Sequence, residues 1–240
     1  MNLQGLKDCL PGFLWSDGLE FSGLALTAQL FLLALIPGTA LSVLLAVLQA
    51  FGPRPVAWLV KTYSYFFRGT PLYLQLMLIY YGLSQFGIVQ NGWSNGHYFW
   101  LLFRNATFCA VLALTLNMTA YVTEVMAGMM STFPRQEWVA AEAFGMSRLT
   151  IIRRLVVPAT LRRGIPALCN ELIFLLHATS LASTVTLMDI TGIARSVYSS
   201  TFSPFIPFLI AAALYQLCTF LLLYLCARAE RKWLAFQRRL

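Results

Sequence analysis

Charge is scarce in this chain. Asp, Glu, Lys and Arg together supply 11% of its 240 residues, where a soluble domain of this length carries about a quarter. A surface so poor in charge faces something other than water. Lysine is rarer still, at Lys7, Lys61 and Lys232 only. None follows a G-x-x-x-x-G run, which excludes a P-loop and leaves any ATP hydrolysis to another polypeptide. Cysteine is sparse and odd in number: Cys9, Cys109, Cys169, Cys218 and Cys226. With four of these in or beside apolar segments and no C-x-x-C pair, neither a disulfide framework nor a zinc site is expected. They read as small packing residues, and no metal site is expected. The first twenty residues lack the layout of a cleavable signal, since Lys7, Asp8, Asp17 and Glu20 surround Pro11-Gly12. The first apolar run is therefore expected to insert and stay.

What the chain has instead is long uncharged stretches. Hydrophobic types make up 59%, and 23–49, 69–103 and 205–227 contain no charge. A bilayer-spanning helix needs about 20 mostly apolar residues. The pattern predicts an all-α integral membrane protein with about five transmembrane helices. Span one covers about 22–50, with Pro37-Gly38 expected to kink it. Residues 56–67 mix Trp58, Lys61, Tyr63 and Tyr65 with apolar types and read as an interfacial segment or the lower part of a helix. Arg68-Gly69-Thr70-Pro71 interrupts it, and Arg68 reads as a headgroup anchor. Span two follows at about 72–86, then a polar loop at 87–96. Spans three, four and five cover about 101–130, 164–187 and 204–227, with a short loop holding Asp189, Gly192 and Arg195.

The net charge of +8 reflects topology. Arg54, Lys61, six arginines between 134 and 163, and Arg228, Arg231, Lys232, Arg238 and Arg239 fall on one side of the five spans. That side holds thirteen of the 17 basic residues. The positive-inside rule makes it cytoplasmic, so the N-terminus is periplasmic and the C-terminus cytoplasmic. No soluble basic domain remains to bind nucleic acid.

Residues 134–158 read as two short helices joined by a sharp turn. Pro134 can open the first. Trp138, Ala141 and Phe144 recur at helical spacing, Gly145 can end the helix in a left-handed conformation, and Ser147 can cap a second helix. Pro158 either stops that helix or feeds the next span. On residue chemistry alone, the aromatic stripe needs either a protein partner or lipid headgroups to cover it.

The stretch Trp138 to Pro158 resembles the EAA loop of the permease subunits of bacterial ABC importers. Ala140, Ala141, Gly145 and Pro158 match its fixed points. Met146-Ser147-Arg148 and Arg153-Arg154 resemble the polar amino-acid branch, as do Arg68-Gly69-Thr70-Pro71-Leu72, Ala120-Tyr121 with Glu124 and Gly128, and Asn170-Glu171 with Thr179-Ser180-Leu181. Within that branch, His177 and the run Arg228-Ala229-Glu230-Arg231-Lys232-Trp233 are most like the M-type permeases of histidine/lysine/arginine/ornithine importers and their opine and arginine relatives. The resemblance covers about 20–235.

It implies a type I ABC importer permease (MetI-like) fold in the bacterial inner membrane. Residues 1–21 would be an extracytoplasmic segment, 22–228 the type-1 transmembrane domain with its coupling loop at 134–163, and 229–240 a basic cytoplasmic tail. It implies a second, homologous Q-type permease chain, two ATP-binding subunits that carry ATP and Mg, and a periplasmic substrate-binding protein. This chain itself then holds no cofactor and is not an enzyme. The coupling set implied is Trp138, Val139, Ala140, Ala141, Glu142, Phe144, Gly145 and Pro158. One position departs from the motif: Val139 stands where the family has glutamate. Glu142, one turn on, can substitute, and the departure suits an asymmetric pair.

Charged groups inside spans suggest function. Asn117, Tyr121, Glu124 and Gly128 follow an i, i+4, i+7, i+11 pattern and share a face. Asn170, His177 and Thr184 are seven apart and share another, with Glu171 adjacent and Thr179, Ser180, Ser183 and Thr186 adding hydroxyls. Two readings stay open for these groups: contacts with a cationic amino acid along a path, or ties between helices in lipid. An ion-coupled secondary transporter is the competing class, but no internal repeat supports it. A non-transport scaffold would need no polar path. The topology is tested by cysteines placed singly between Gln136 and Val156, which are expected to react with impermeant maleimide only in inside-out vesicles. Labelling of intact cells at those positions would reverse the orientation.

Overall fold

The computed structural model describes residues 10–16 and 21–233. These are helical almost throughout, with no β-strand among them. The long helices are α1 (Gly23–Phe51), α2 (Arg54–Gly69) and α3 (Leu72–Gln85). Two short helices follow, α4 (Gly87–Ser94) and α5 (Tyr98–Leu101), then α6 (Ala106–Ser131). The short α7 (Arg135–Ala143) precedes α8 (Arg148–Val185), α9 (Ile190–Thr201) and α10 (Phe205–Trp233). Four of these, α1, α6, α8 and α10, are long and apolar enough to cross a membrane. The pair α3 and α4, bent by 67°, makes a fifth candidate.

The expected spans are present, with altered ends. The polar stretch 87–96 is not a loop but contains α4. Trp93 Nε1 donates to Trp100 O at 2.6 Å, and Gly92 lies so close to Trp100 that a Cβ would sit 2.1 Å from its ring. Contacts of these half-buried tryptophans hold so polar a segment in a helical hairpin. The loop expected at 188–203 is likewise mostly helix, because Asp189 caps α9.

The largest shift concerns span four. It begins at Arg148, so the second helix of the 134–158 hairpin and the span are one continuous element. Pro158 does not stop it. A proline clashes with the carbonyl four residues earlier and removes one bond. Here Ile152–Val156 winds as a π-helix immediately before Pro158, and this wider turn accommodates the ring. α1 similarly continues through Pro37.

The chain forms two compact units, each built from three separate stretches. Unit 1 takes 1–36, 70–116 and 173–221, and unit 2 takes 37–69, 117–172 and 222–240. In unit 1, Phe13, Ile190, Ile193, Ala194 and Ala211 form a buried cluster with Leu24, Leu214 and Tyr215 against it. In unit 2, α1 and α6 meet through small residues. A Cβ on Gly38 would be 3.0 Å from Met118 Sδ. Thr119 Oγ1 donates to Gly38 O at 3.4 Å, and Ser42 Oγ is bonded to Gly38 O and Thr119 O. Such close, hydroxyl-bridged approach is how helices associate in lipid.

Unit 2 also corrects the reading of the cysteines. Cys169 in α8 and Cys226 in α10 form a disulfide, with Cα atoms 6.0 Å apart, within the usual span for such a bridge. Their separation by 57 residues hid the pair from a search for local spacings. Cys109 and Cys218 are free thiols, and Cys9 lies outside the described residues. Denatured without reductant, the chain should take maleimide-polyethylene glycol on Cys109 and Cys218 but not on Cys169 or Cys226, and on all four after reduction. Tagging of Cys169 and Cys226 before reduction would dismiss the bridge.

Candidate functional site

Two features of unit 2 stand out. The first is the hairpin of α7 and the start of α8. Pro134 caps α7 rather than entering it (φ −60°, ψ 122°), and Gly145 takes φ +76°, the left-handed turn expected of it. Ser147 Oγ accepts from Thr150 N at 3.4 Å. The aromatic stripe does not form one face, however. Trp138 turns inward and stacks on Phe51 at 5.6 Å and 25°, and Ala141 is buried. Phe144 lies past the end of α7 and is 88% exposed, with Val139 also exposed. Its position beyond the last helical residue releases it from the helical period.

Glu142 Oε1 accepts from Trp138 Nε1 at 2.7 Å, an i, i+4 pair. Arg148 reaches Phe51 O at 3.4 Å. Phe51, Trp138, Glu142 and Arg148 line an open recess of about 350 Å³. Ala140 is exposed. Glu137 pairs with Arg163 at 3.6 Å across the hairpin; both are exposed, so the pair adds little stability.

The second feature is a cleft beside α2. Trp58, Lys61, Thr62, Tyr65, Arg68 and Glu124 line about 530 Å³. The first four recur at i, i+3, i+4 and i+7, one helical face. Of the two readings open for 56–67, an interfacial segment or the lower part of a helix, the structure has it within the helix Arg54–Gly69. The exposed Arg68, expected as a headgroup anchor, has its guanidinium over the Tyr121 ring at 5.3 Å and also lines the cleft. Glu124 Oε1 accepts from Gln49 Nε2 at 3.0 Å. Among the described residues no cation lies within 4.0 Å of its carboxylate. Asn117 Nδ2 donates to Phe67 O at 3.2 Å, and Tyr121 OH to Arg68 O at 3.4 Å. These two therefore satisfy the C-terminal carbonyls of α2, the role helix-terminal groups need filled. The face Asn117–Tyr121–Glu124 holds together as expected, with Glu124 left to the cleft. Asn170 is exposed and Glu171 half-buried on α8.

Unit 1 holds His177 and Thr184. His177 Nε2 is 3.1 Å from Thr219 Oγ1, and Thr219 Oγ1 donates to Tyr215 O at 2.8 Å. A hydroxyl has one proton, so the imidazole Nε2–H donates to Thr219. The heptad face of His177 and Thr184 is broken. From Thr179 the helix tightens to 3₁₀ winding, about 120° per residue instead of 100°, which turns Thr184 roughly a quarter turn away. The expected hydroxyls are also engaged: Thr179, Ser180, Ser183 and Thr184 each donate to the carbonyl three residues earlier. They remain acceptors only.

The family described as binding-protein-dependent transport system inner membrane component matches residues 38–234. The chain is 42% identical to a histidine/lysine/arginine/ornithine transport system permease protein HisM of Salmonella typhimurium, over 97% of each. It is 38% identical to the octopine transport system permease protein OccM of Rhizobium radiobacter, over 88% of this chain and 84% of that one. Among solved structures, an amino acid ABC transporter with histidines superposes with TM-score 0.78 at 28% identity, over 97% of this chain and 99% of that one.

The geometry at Glu124 predicts an order of stabilities. Glu124→Gln keeps an acceptor for Gln49, whereas Glu124→Leu leaves that amide without one. Thermal unfolding in detergent should find the leucine variant about 1–3 kcal/mol less stable than the glutamine variant. Equal stabilities would show that the Gln49 contact carries no weight.

Proposed function

Because the chain belongs to the binding-protein-dependent transport system inner membrane component family, a multi-pass protein of the inner membrane, we propose that it is the permease subunit of an ATP-driven importer of basic amino acids. Histidine, arginine, lysine and ornithine are the substrates, moved by alternating access. The chain pairs with a homologous Q-type permease. Two ATP-binding subunits supply ATP and Mg, and a periplasmic binding protein delivers substrate. The N-terminus lies in the periplasm and the C-terminus in the cytoplasm.

The observation that carries this reading is Glu124, an acid within a span, about two turns from its end, that faces a cleft without a paired cation. An intramembrane carboxylate is costly and is kept where something needs it. A basic amino acid brings a cationic side chain for Glu124 and a carboxylate for Lys61 and Arg68. Trp58 and Tyr65 offer faces to the same cation. His177 serves as a gate residue of unit 1, its Nε2–H fixed on Thr219.

The hairpin is the docking element for an ATP-binding subunit. Its outward groups are Phe144, Val139 and Ala140, while Trp138 and Ala141 anchor it to the chain's own body. Val139 makes this contact apolar where the motif has an acid, and Glu142 is already engaged by Trp138. The likeness to OccM favours an opine as a second reading of the substrate.

The test is uptake into proteoliposomes holding the whole importer, with ATP inside and the binding protein outside. Basic amino acids should accumulate only with both. Uptake driven by an ion gradient alone would replace this reading with a secondary transporter. Octopine outcompeting arginine would move the substrate to the opines. A Cβ at Gly145 meets nothing within 4 Å, so Gly145→Val acts through its φ of +76° alone. It should insert normally but lose most uptake, by about tenfold or more for 1–2 kcal/mol of hairpin distortion.

A further inference from the structure

Asp189 is the fully buried acid that the reading above leaves unused. It has no exposed surface and begins α9. Its Oδ1 accepts from Gly192 N at 3.0 Å, and its Oδ2 from Thr191 N at 3.2 Å and from Tyr215 OH at 3.0 Å. The neighbouring backbone is tied to α1: Gly23 N donates to Met188 O at 2.7 Å, and Ile190 N to Thr27 Oγ1 at 3.3 Å. The turn leading to it contains Thr186 at φ +69°, an uncommon conformation for a β-branched residue. A Cβ on Gly192 would meet Leu187 O at 2.4 Å. All of these lie in unit 1.

A helix cap alone does not need this residue. Serine or asparagine caps as well, with one acceptor oxygen. Asp189 receives three donors on two oxygens, and the third comes from α10. Asparagine offers one oxygen, so its amide N–H₂ would face a donor, Thr191 N–H or Tyr215 O–H. Burial pushes the carboxyl up to about 6, even though Gly192, Thr191 and Tyr215 all pull it down. The folded state thus holds this proton more tightly than the unfolded chain, and the stability that gives is full below the ordinary value of 3.8 and lost as the pH rises to about 6.

The same tyrosine leads to the candidate gate. The backbone carbonyl of Tyr215 accepts from Thr219 Oγ1 at 2.8 Å, and that hydroxyl lies 3.1 Å from His177 Nε2. We propose that Asp189 is a positioning residue for transport, whose carboxylate holds Tyr215, and through it Thr219 and His177, while fixing α9 to the start of α1. The proposal rests on the reading of His177 as a gate residue.

The experiment uses the reconstituted importer and whichever amino acid the wild type transports, so failure of the substrate reading is seen first and separately. Rates are normalised to the amount of ATP-binding subunit that copurifies. Asp189→Asn should keep basal ATP hydrolysis within about twofold of wild type and lower uptake per ATP by about tenfold or more, as expected for a lost bond to a charged group. Tyr215→Phe should lower the same ratio by a smaller factor. The double variant should be no worse than Asp189→Asn, because both act on one bond.

An unchanged ratio in Asp189→Asn overturns the proposal. So does a loss of uptake in both variants that only follows the amount of assembled complex, which is what a structural role would give. If Asp189→Asn does not assemble, Tyr215→Phe decides alone, and a wild-type ratio in it overturns the proposal. A normal ratio in His177→Gln with a lowered one in Asp189→Asn rejects the route through His177.

Discussion

A polar group that leaves water for lipid must find its partner within the protein, and this obligation shapes the molecule more than any single packing contact. Most hydroxyls in the helices meet it locally. Ser42, Thr27 and Thr219 donate to the carbonyl four residues back, and Thr179, Ser180, Ser183 and Thr184 to the one three back. A hydroxyl bonded this way adds no free donor to a path. Some side chains find partners on another helix instead, among them Asn117, Tyr121, Glu124 and His177, with Asp189 held both from its own helix and from α10. Of these, Asn117 and Tyr121 close the end of α2. Of the others, Glu124 faces a cleft in unit 2, and Asp189 is a fully buried carboxylate in unit 1.

The two carboxylates are handled oppositely. Glu124 has one neutral donor and an opening to Lys61, Arg68 and two aromatic rings. Such a site is under-satisfied, and a cation entering it completes what the chain leaves undone. Asp189 has three donors and no opening. It is fully satisfied and geometrically specific, as buried polar networks that fix a single arrangement are. One acid therefore suits a passing ligand, and the other suits holding a structure in place.

Much of the fold was legible because lipid simplifies the code. Apolar runs of 20 or more residues located α1, α6 and α10 closely, since length alone sets a span. What stayed hidden depended on departures from the regular α-helix. Ile152–Val156 winds as a π-helix and lets α8 pass Pro158; a rule that proline ends helices cannot anticipate that compensation. The 3₁₀ winding from Thr179 moved Thr184 off the heptad face. The bridge between Cys169 and Cys226 spans two helices far apart in sequence, a pairing no local spacing encodes. At the site, Asn117, Tyr121 and Glu124 were found because they lie on a regular helix. Lys61 and Arg68 were assigned to the membrane surface because basic residues usually sit there. Asp189 passed as a loop residue because a short polar stretch looks like a turn until its cap creates a helix.

The continuity of α8 bears on how the hairpin, proposed above as the docking element, can act on a span. Had Pro158 ended the second hairpin helix, a flexible joint would separate the hairpin from the membrane. Instead Ser147 caps a helix that enters the span without a break. Gly145 is then the pivot, because it alone supplies the left-handed turn between α7 and α8. Trp138, stacked on Phe51 and bonded to Glu142, holds α7 to the end of α1, and Arg148 holds the start of α8 to the same Phe51 carbonyl. A load on the exposed Phe144 is thus shared between α1 and α8 within unit 2, and rigid helices transmit displacement where loops absorb it.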